Sequence, residues 1–237
     1  MTDHILVVGA SSGIGQAVVE RYIGSMKISA LARRAHRLKH LENQGVNVLI
    51  CDVTDLSALE SSINDCVEKF GKLSSIVYCA GVQLIKPLRI STQNDFINVL
   101  NVNLLAPLFL SKCFASTRIS ISDAVFCAVT SVAAHRPEPG IVAYSVAKAG
   151  LDALIKGVAK ELGPRRAVGV APGWLDTEMT QSNSHIYNDE FIKALARRSP
   201  VGIATVSSVV DVIEFLLSPK ARHITGEIIM VDGGAVL

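Results

Sequence analysis

The sequence predicts an α/β protein in which one doubly wound parallel β-sheet carries helices on both faces, as a single domain over residues 1–237. Two observations predict this fold. Short apolar segments of strand length alternate with longer segments whose apolar residues recur at helical spacing. A glycine-rich turn follows the first apolar segment. No linker, repeat or low-complexity stretch interrupts the alternation, so one domain is enough.

The glycine-rich turn directly follows the first predicted strand, His4 to Val8, and leads into a helix from about Gln16. Glycines let backbone N–H groups approach a phosphate closely, and a helix N-terminus favours its negative charge. We therefore predict the phosphate cradle of a Rossmann-type dinucleotide site. The cradle residues would be Gly9, Ser11, Ser12, Gly13, Ile14 and Gly15.

The same turn has a second interpretation. Its spacing, G-x-x-x-G-x-G, departs from the generic G-x-G-x-x-G of dinucleotide sites, and its first five residues also fit G-x-S-x-G, the nucleophile elbow of α/β-hydrolases. The elbow needs preceding strands and an upstream loop for its oxyanion donors, and eight residues come before Gly9. We favour the phosphate cradle.

The second predicted strand, Lys27 to Ala32, ends in two arginines. A site for NAD would carry Asp or Glu here to bind the ribose 2′-hydroxyl, and Ala32 stands in that place. A guanidinium suits a 2′-phosphate, so Arg33 and Arg34 predict NADPH/NADP⁺ as the cofactor. Alternatively, Arg33, Arg34 and Arg37 open a solvated helix and bind nothing.

The remaining elements continue the alternation. We expect strands over Val46–Cys51, Ser75–Tyr78, Ala124–Val129, Ala167–Ala171 and Glu227–Val231, and helices over about Leu56–Phe70, Asp95–Ala115, the stretch ending at Leu162, the stretch around Phe191–Leu195, and Ser207–Leu217. Asp52 follows the third strand, where it would meet an adenine.

The stretch from Ala124 to Leu154 carries the predicted chemistry, as strand, loop and helix. Tyr144 and Lys148 are four residues apart, so on a helix they share one face. Ser131 ends the strand, where open α/β sheets place their ligand crevice. A phenol beside an ammonium is a plausible proton-transfer pair. An exposed helix start is the alternative.

Asn103 interrupts the apolar surface of the long helix. A buried amide often only satisfies a neighbouring backbone group, and that explanation stays open beside a role in the site.

Composition excludes several classes of function. The net charge is +2 and no run of five like charges occurs, so we expect no nucleic-acid surface. The five cysteines show no zinc spacing, so we expect no metal and a reducing, cytoplasmic location. No signal peptide is visible and no apolar run reaches transmembrane length, so we expect no membrane partner.

Together these motifs resemble those of the short-chain dehydrogenase/reductase family, in the general pattern of 3-oxoacyl-ACP reductases, over nearly the whole chain. The turn with its preceding residue, Val8 to Gly15, is similar to the family's T-G-x-x-x-G-I-G. The other matches are Ser131, Tyr144 and Lys148 to S…Y-x-x-x-K, Asn103 to the helix asparagine, and Pro172-Gly173…Thr177 and Ile224-Thr225-Gly226…Asp232-Gly233-Gly234 to the late motifs. Val8 replaces a threonine, and Tyr78-Cys79-Ala80-Gly81 replaces N-N-A-G.

The resemblance implies a role for each catalytic residue. Tyr144 would be the general acid, its pKa lowered from about 10 by Lys148 and the positive nicotinamide ring. Lys148 would also hold the ribose, Ser131 would bind the substrate oxygen, and Asn103 would hold a water of a proton relay. Further cofactor contacts would come from Asp52, Val53, Ala80, Gly81, Tyr144, Lys148, Pro172, Gly173, Leu175 and Thr177. The resemblance also implies a homo-oligomer, a tetramer or a dimer.

Residues 178–199 are expected to form a substrate lid. The polar stretch Gln181 to His185 has little apolar surface to bury, and the amphipathic stretch Phe191 to Leu195 can close over a substrate.

Three functions remain in view. The first is an NADPH-dependent reductase of an acyl, polyketide-like or small cyclic ketone. The second is an alcohol dehydrogenase of a sugar, polyol or steroid-like substrate. The third, a non-catalytic dinucleotide-binding protein, would have lost a catalytic residue, and all four are present.

Overall fold

The computed structural model describes residues 3–237; Met1 and Thr2, with which the predicted domain begins, lie outside the described residues. The strands are β1 (His4–Val8), β2 (Lys27–Ala32), β3 (Asn47–Ile50), β4 (Leu73–Tyr78), β5 (Ser120–Val129), β6 (Arg166–Pro172) and β7 (Ile228–Val231). These strands form one sheet in the order β3-β2-β1-β4-β5-β6-β7, and every neighbouring pair is parallel. The predicted fold class is confirmed.

The helices between the strands cover both faces of this sheet. They are α1 (Gly13–Tyr22), α2 (Ala35–Glu42), α3 (Leu56–Phe70), α4 (Gln93–Leu100), α5 (Ala106–Ala115), α6 (Val142–Glu161), α7 (Glu178–Gln181), α8 (Asp189–Arg198) and α9 (Val206–Leu217). Short 3₁₀ turns lie at Leu88–Ile90, Val132–Ala134 and Pro219–Ala221. Strands buried on both faces read as continuous apolar runs, which is why β1 shows no alternation with polar residues.

Two layers of core result from this arrangement. Ile5 and Val7 of β1 point into the layer that holds α1 and α9, while Leu6 and Val8 point into the layer that holds α3, α5 and α6. All four side chains are fully buried. Because successive strand residues face opposite sides, this one strand joins the two layers.

Several element bounds agree with the sequence expectations, and others differ. β1, β2 and α3 begin and end where predicted. β5 starts at Ser120 rather than Ala124, because its backbone pairs with Leu73 of β4 before a shift of register. α1 starts at Gly13 rather than Gln16. α2 starts after Arg33 and Arg34, so these two arginines precede the helix that the alternative interpretation placed them in.

The predicted single helix over Asp95–Ala115 is wrong in one respect. α4 and α5 follow one another along one helical path, but the five residues between them, Asn101–Leu105, form a π turn instead of α-helix. In this turn the N–H of Ala106 donates to the carbonyl of Asn101, five residues back. The carbonyl of Val102 is thereby left for another donor, and it accepts a hydrogen bond from the Tyr78 hydroxyl at 2.5 Å.

The continuous helix Gln93–Ala115 is also long and apolar enough, by length and composition alone, to cross a membrane. It is the one such helix within residues 3–237. Its apolar side chains Ala106, Leu110 and Phe114 are fully buried in the core beneath the sheet. Packing within the fold therefore accounts for part of its hydropathy, since 39% of its most apolar stretch is buried, while Ile97, Leu105 and Leu108 stay exposed.

Candidate active site

A cavity of about 550 Å³ runs along the carboxyl ends of the strands. It lies where the strand order reverses between β1 and β4, which is the place where open α/β sheets bind ligands. Of the residues predicted for the site, only Gly15 and Asn103 do not line this cavity. The lining includes Asp52, Val53, Ala80, Gly81, Pro172, Gly173, Leu175 and Thr177, which the family resemblance implied.

The glycine-rich turn has a backbone path that side chains would block. A Cβ on Gly15 would lie 2.2 Å from the carbonyl oxygen of Gly9. A Cβ on Gly9, where φ is +88°, would lie 2.5 Å from the backbone nitrogen of Ala80. The absence of side chains thus lets α1 begin directly against the ends of β1 and β4.

The N-terminus of α1 is open to the cavity. Ser12 is the N-cap residue, but its side chain caps no backbone N–H of the helix. Free first-turn N–H groups and the positive end of the helix dipole form an anion site. The turn therefore fits the phosphates of a dinucleotide better than a serine nucleophile.

The two predicted cofactor arginines make different contacts. The Arg33 guanidinium is 63% exposed and lies 3.5 Å from the Asp52 carboxylate. Arg34 crosses to the cradle, where its Nη2 donates to Ser12 Oγ at 2.8 Å and to Ser11 Oγ at 3.1 Å. Arg34 also donates through Nη1 to both carboxylate oxygens of Glu178, at 2.7 and 2.8 Å.

The predicted catalytic residues Ser131, Tyr144 and Lys148 meet at the floor of the cavity. Ser131 lies two residues beyond the end of β5 and caps the 3₁₀ turn at Val132–Ala134, where its Oγ accepts a hydrogen bond from the N–H of Ala133. Tyr144 and Lys148 lie one turn apart on α6, with Lys148 Nζ 5.7 Å from the centre of the phenol ring. The Lys148 ammonium is buried and donates to the carbonyl of Val129 at 2.8 Å.

Burial governs the charge states of this pair. It raises the pKa of Tyr144 to about 12, although a hydrogen bond with Ser131 opposes the shift. It lowers the pKa of Lys148 from 10.5 to about 8. In the protein alone, loss of hydration sets the pKa of Tyr144, and Lys148 is not among the causes of its shift. A lowering of this pKa by Lys148 together with the positive nicotinamide ring stays a prediction.

The Asn103 side chain is occupied by backbone groups. Its Nδ2 donates to the carbonyls of Val82 at 2.8 Å and Val99 at 3.0 Å, while Oδ1 accepts from the N–H of Val82 at 3.3 Å. Asn103 therefore does what the sequence analysis gave as its alternative role: its amide satisfies neighbouring backbone groups. A Cβ on Gly81 would contact both Asn103 Oδ1, at 3.0 Å, and Lys148 Nζ, at 3.7 Å, so Asn103 supports the wall beside Lys148.

On the substrate side of the cavity, sequence reasoning placed Phe191 in the lid but missed Gln83, Trp174 and Tyr187. Trp174, Tyr187 and Phe191 form an aromatic cluster with ring centroids 5.1 to 6.3 Å apart. Gln83 donates to the Tyr187 hydroxyl at 3.0 Å. The buried Gln83 Oε1 and Trp174 Nε1 find no hydrogen-bond partner among residues 3–237. A lone tryptophan directly after the Pro172-Gly173 motif was the signal that could have pointed here.

A second missed pair braces the catalytic loop. His135, after the 3₁₀ turn, lies with Nε2 3.0 Å from Oδ2 of Asp152, one helical turn beyond Lys148 on α6. Burial raises the pKa of the Asp152 carboxyl. The pair ties the loop that carries Ser131 to the helix that carries Tyr144. Within residues 3–237, no group of three or more His, Cys, Asp or Glu side chains could hold a metal ion.

Comparison with known proteins finds relatives over almost the whole chain. A family described as enoyl-(acyl carrier protein) reductase matches residues 9–236. The chain is 27% identical to the 3-oxoacyl-(acyl-carrier-protein) reductase FabG of Buchnera aphidicola subsp. Baizongia pistaciae, over 97% of this chain and 95% of that protein. It is 29% identical to gluconate 5-dehydrogenase of Gluconobacter oxydans, over 97% and 93% of the two chains.

A solved structure supports the fold. The structure of a short-chain dehydrogenase/reductase from Brucella melitensis, titled as a glucose/ribitol dehydrogenase, superposes with a TM-score of 0.92. The alignment covers 99% of this chain and 97% of the other, at 24% identity. This likeness supports the fold.

The shifted pKa of Lys148 predicts a pH dependence of stability. Below pH 8 the buried ammonium carries its full desolvation cost. Between pH 8 and about 10 the folded protein releases this proton while the unfolded chain keeps it, so Lys148 should contribute a rise in stability of up to about 3 kcal/mol. The rise is read as the difference from a variant without this lysine, because burial raises the pKa of the Cys66, Cys79 and Cys127 thiols and lowers the stability of both proteins above about pH 9. Above pH 10 the raised pKa of Tyr144 should reverse the trend, because the unfolded tyrosine ionises first.

Urea unfolding between pH 7 and pH 10 measures this effect. Lys148→Met should remove the rise, and Lys160→Met, an exposed lysine on the same helix, should keep it. An equal rise in wild type and Lys148→Met would contradict the assignment.

Proposed function

Because the chain belongs to the short-chain dehydrogenase/reductase family, we propose that it is an NADP(H)-dependent oxidoreductase that reduces a ketone to a secondary alcohol. The oxidoreductase class follows from the family, and the cofactor, direction and roles of the residues are the proposal. The observation that carries it is the meeting of Ser131, Tyr144 and Lys148 in one cavity with an anion cradle and two arginines.

The residues of the cavity fit a nicotinamide dinucleotide. Gly9 and Gly15 leave room where a Cβ would clash, and the N-terminus of α1 lies open. These groups would hold the pyrophosphate, while Arg33 and Arg34 would hold a 2′-phosphate. When bound, the reduced nicotinamide supplies a hydride to the carbonyl carbon.

The side chains at the cavity floor would manage the accompanying proton. With a pKa of about 12, Tyr144 keeps its proton at neutral pH, as a general acid for reduction requires. Tyr144 would donate this proton to the carbonyl oxygen, which Ser131 would orient by a hydrogen bond. Lys148, with a pKa of about 8, is mostly charged at pH 7 and would stabilise the phenolate that remains. Asn103 lies behind the cavity wall and its Nδ2 already donates to Val82 and Val99, so it would hold a relay water only through its remaining acceptor capacity, at Oδ1 or its backbone carbonyl.

The shape of the substrate pocket favours a ketone with both apolar and polar parts. Trp174, Tyr187 and Phe191 supply an apolar wall, and Gln83 Oε1 and Trp174 Nε1 are buried polar atoms without a protein partner. A substrate with an acceptor and a donor near its carbonyl would satisfy both atoms, which are costly to leave unpaired.

The second candidate is a dehydrogenase of a sugar or polyol alcohol. Gluconate 5-dehydrogenase is as similar to this chain as the 3-oxoacyl reductase, so identity does not choose between these substrates. Turnover with NADPH and a ketone, against turnover with NAD⁺ and an alcohol, separates the two candidates. A non-catalytic role is disfavoured, because Asn103, Ser131, Tyr144 and Lys148 are all present in the sequence.

The lid, the assembly and the location complete the proposal. Residues 178–199 border the cavity and would close over the substrate.

Exposed apolar residues on adjoining helices support association of copies, as a tetramer or a dimer; they are Ile97, Leu105, Leu108 and Val146. The five free cysteines support a cytoplasmic location.

Cofactor preference gives the first test. Arg33→Ala should weaken NADPH binding by about ten- to a hundredfold, since hydrogen bonds to a charged group are worth about 1.5–3 kcal/mol. NADH binding should change little. Calorimetric titration measures both, with Lys39→Ala, an exposed cation on α2 outside the cavity, as control. Equal losses for NADPH and NADH would remove the 2′-phosphate role of Arg33.

Loss of the phenol hydroxyl gives the second test. Tyr144→Phe should lower the turnover number by about two to four orders of magnitude, the usual scale for losing a general acid. The dissociation constant of NADPH should stay within about twofold, because the cradle is untouched. Tyr22→Phe, outside the cavity, is the matched control. A Tyr144→Phe enzyme that keeps most of its rate would show that another group donates the proton.

Lid closure gives the third test. Amide exchange over residues 178–199 should be fast in the free protein and slower with NADP⁺ and a substrate analogue. The Trp174–Tyr187–Phe191 cluster should make exchange slower around Phe191 than around Ser184. Helix α9 serves as the internal reference. Strong protection of the whole segment without ligands, unchanged by them, would indicate a rigid loop.

A further inference from the structure

The Arg34 side chain is already paired with an anion from the proposed lid. Its Nη1 donates to both carboxylate oxygens of Glu178, and Arg37 Nη2 donates to the same carboxylate at 3.3 Å. Glu178 opens α7, 144 residues along the chain from Arg34. The pairing is therefore a tertiary contact between the cofactor side and the lid side of the cavity.

The Glu178 carboxylate lies among groups that suit a phosphate. Two guanidinium groups contact it, and Ser11 and Ser12 share the Arg34 guanidinium through their hydroxyls. Guanidinium and hydroxyl groups beside a helix N-terminus are the usual partners of a phosphate in proteins. Glu178 borders the cavity together with Ser11, Ser12 and Arg34.

Every side of the Arg34 guanidinium already has a partner. Both oxygens of Glu178 accept from Nη1, and the hydroxyls of Ser11 and Ser12 accept from Nε and Nη2. A phosphate at hydrogen-bond distance from the same guanidinium would also repel the Glu178 carboxylate. Any 2′-phosphate that reaches Arg34 must therefore displace Glu178 or share its donors.

We propose that Glu178 is a specificity residue for the cofactor, because its carboxylate competes with the 2′-phosphate of NADP(H) for Arg34. This inference rests on the proposed function. A phosphate monoester carries a charge of about −1.5 to −2 near pH 7, so it displaces the single charge of Glu178. Cofactors without the phosphate leave the ion pair intact. Glu178 thus narrows the preference for NADP(H) over NAD(H) that the arginines create.

The competing explanation is an ion pair that only anchors α7 to the cofactor side. Both side chains are partly exposed, 36% for Arg34 and 45% for Glu178, so the pair adds little to stability. An anchor alone would leave the affinity for a 2′-phosphate unchanged when the carboxylate is replaced by an amide.

Two small probes isolate the 2′-phosphate. Adenosine 2′,5′-bisphosphate and adenosine 5′-monophosphate differ only in that group. Titration calorimetry of Glu178→Gln should give a bisphosphate dissociation constant about three- to fivefold lower than wild type, the scale of a partly exposed ion pair. The monophosphate constant should stay unchanged. Asp176→Asn removes a like charge two residues away that contacts no arginine, and it should leave both constants within about 1.5-fold.

The Arg34→Ala background adds a second control. There Glu178→Gln should no longer tighten bisphosphate binding, because the shared donor is gone. An undiminished effect in that background, or equal effects of Glu178→Gln and Asp176→Asn, would overturn the competition.

The outcomes also separate this inference from the proposed cofactor. If wild type prefers the bisphosphate and Glu178→Gln does not increase that preference, only the role of Glu178 falls. If wild type shows no preference and Glu178→Gln creates one, the competition stands and the NADP(H) preference of the natural chain falls. If neither protein distinguishes the probes, both proposals are wrong.

Discussion

The close approach of the glycine-rich turn to the ends of two strands is the constraint on which the site depends. A Cβ on Gly9 or Gly15 would clash with neighbouring backbone atoms, so only glycine lets α1 start directly at the edge of the sheet. This start directs the free N–H groups of the helix at the cavity. It also brings Ser11 and Ser12 within reach of Arg34 at the end of the neighbouring strand. The same backbone path therefore packs α1 against the sheet and shapes the proposed cofactor site.

The catalytic end of the cavity is built on burial of polar groups. Lys148 is held as a buried cation by the Val129 carbonyl, without a directly bonded carboxylate. Its lowered pKa and the raised pKa of Tyr144 have the same cause, the loss of water around both groups. Functional sites commonly carry such costs, and the packed core of the sheet offsets them. The His135–Asp152 pair holds the loop that carries Ser131 against the helix that carries these two buried groups.

At the proposed cofactor end of the cavity the charged side chains remain in contact with solvent, unlike the buried Lys148. Arg33, Arg34, Arg37, Asp52 and Glu178 form a network of partly exposed ions at the carboxyl ends of β2 and β3 and the start of the lid. Exposed ion pairs are weak and exchange partners readily, so an incoming anion can rearrange them at small cost. In the proposed function, rigid backbone would therefore fix the position of the pyrophosphate, and these adaptable side chains would select the ribose.

Local patterns were enough to determine the sheet, the cradle and the Ser131, Tyr144 and Lys148 constellation. Strand and helix periods depend on neighbouring residues, and a four-residue spacing on a helix fixes which side chains share a face. The glycine turn was equally readable, since its conformation follows from the absence of side chains. The roles of these residues remain proposals that geometry supports.

Contacts between distant residues could only be decided by the tertiary structure. The π turn that contains Asn103 leaves the Val102 carbonyl to accept from the hydroxyl of Tyr78, which lies 24 residues before Val102. The aromatic wall requires Trp174 to meet Tyr187 across a polar loop. The pairing of Arg34 with Glu178 joins residues whose separation no spacing rule covers. Periodicity assigns a side chain to a face, but its partner is set by how the elements pack, and that information is spread over the whole chain.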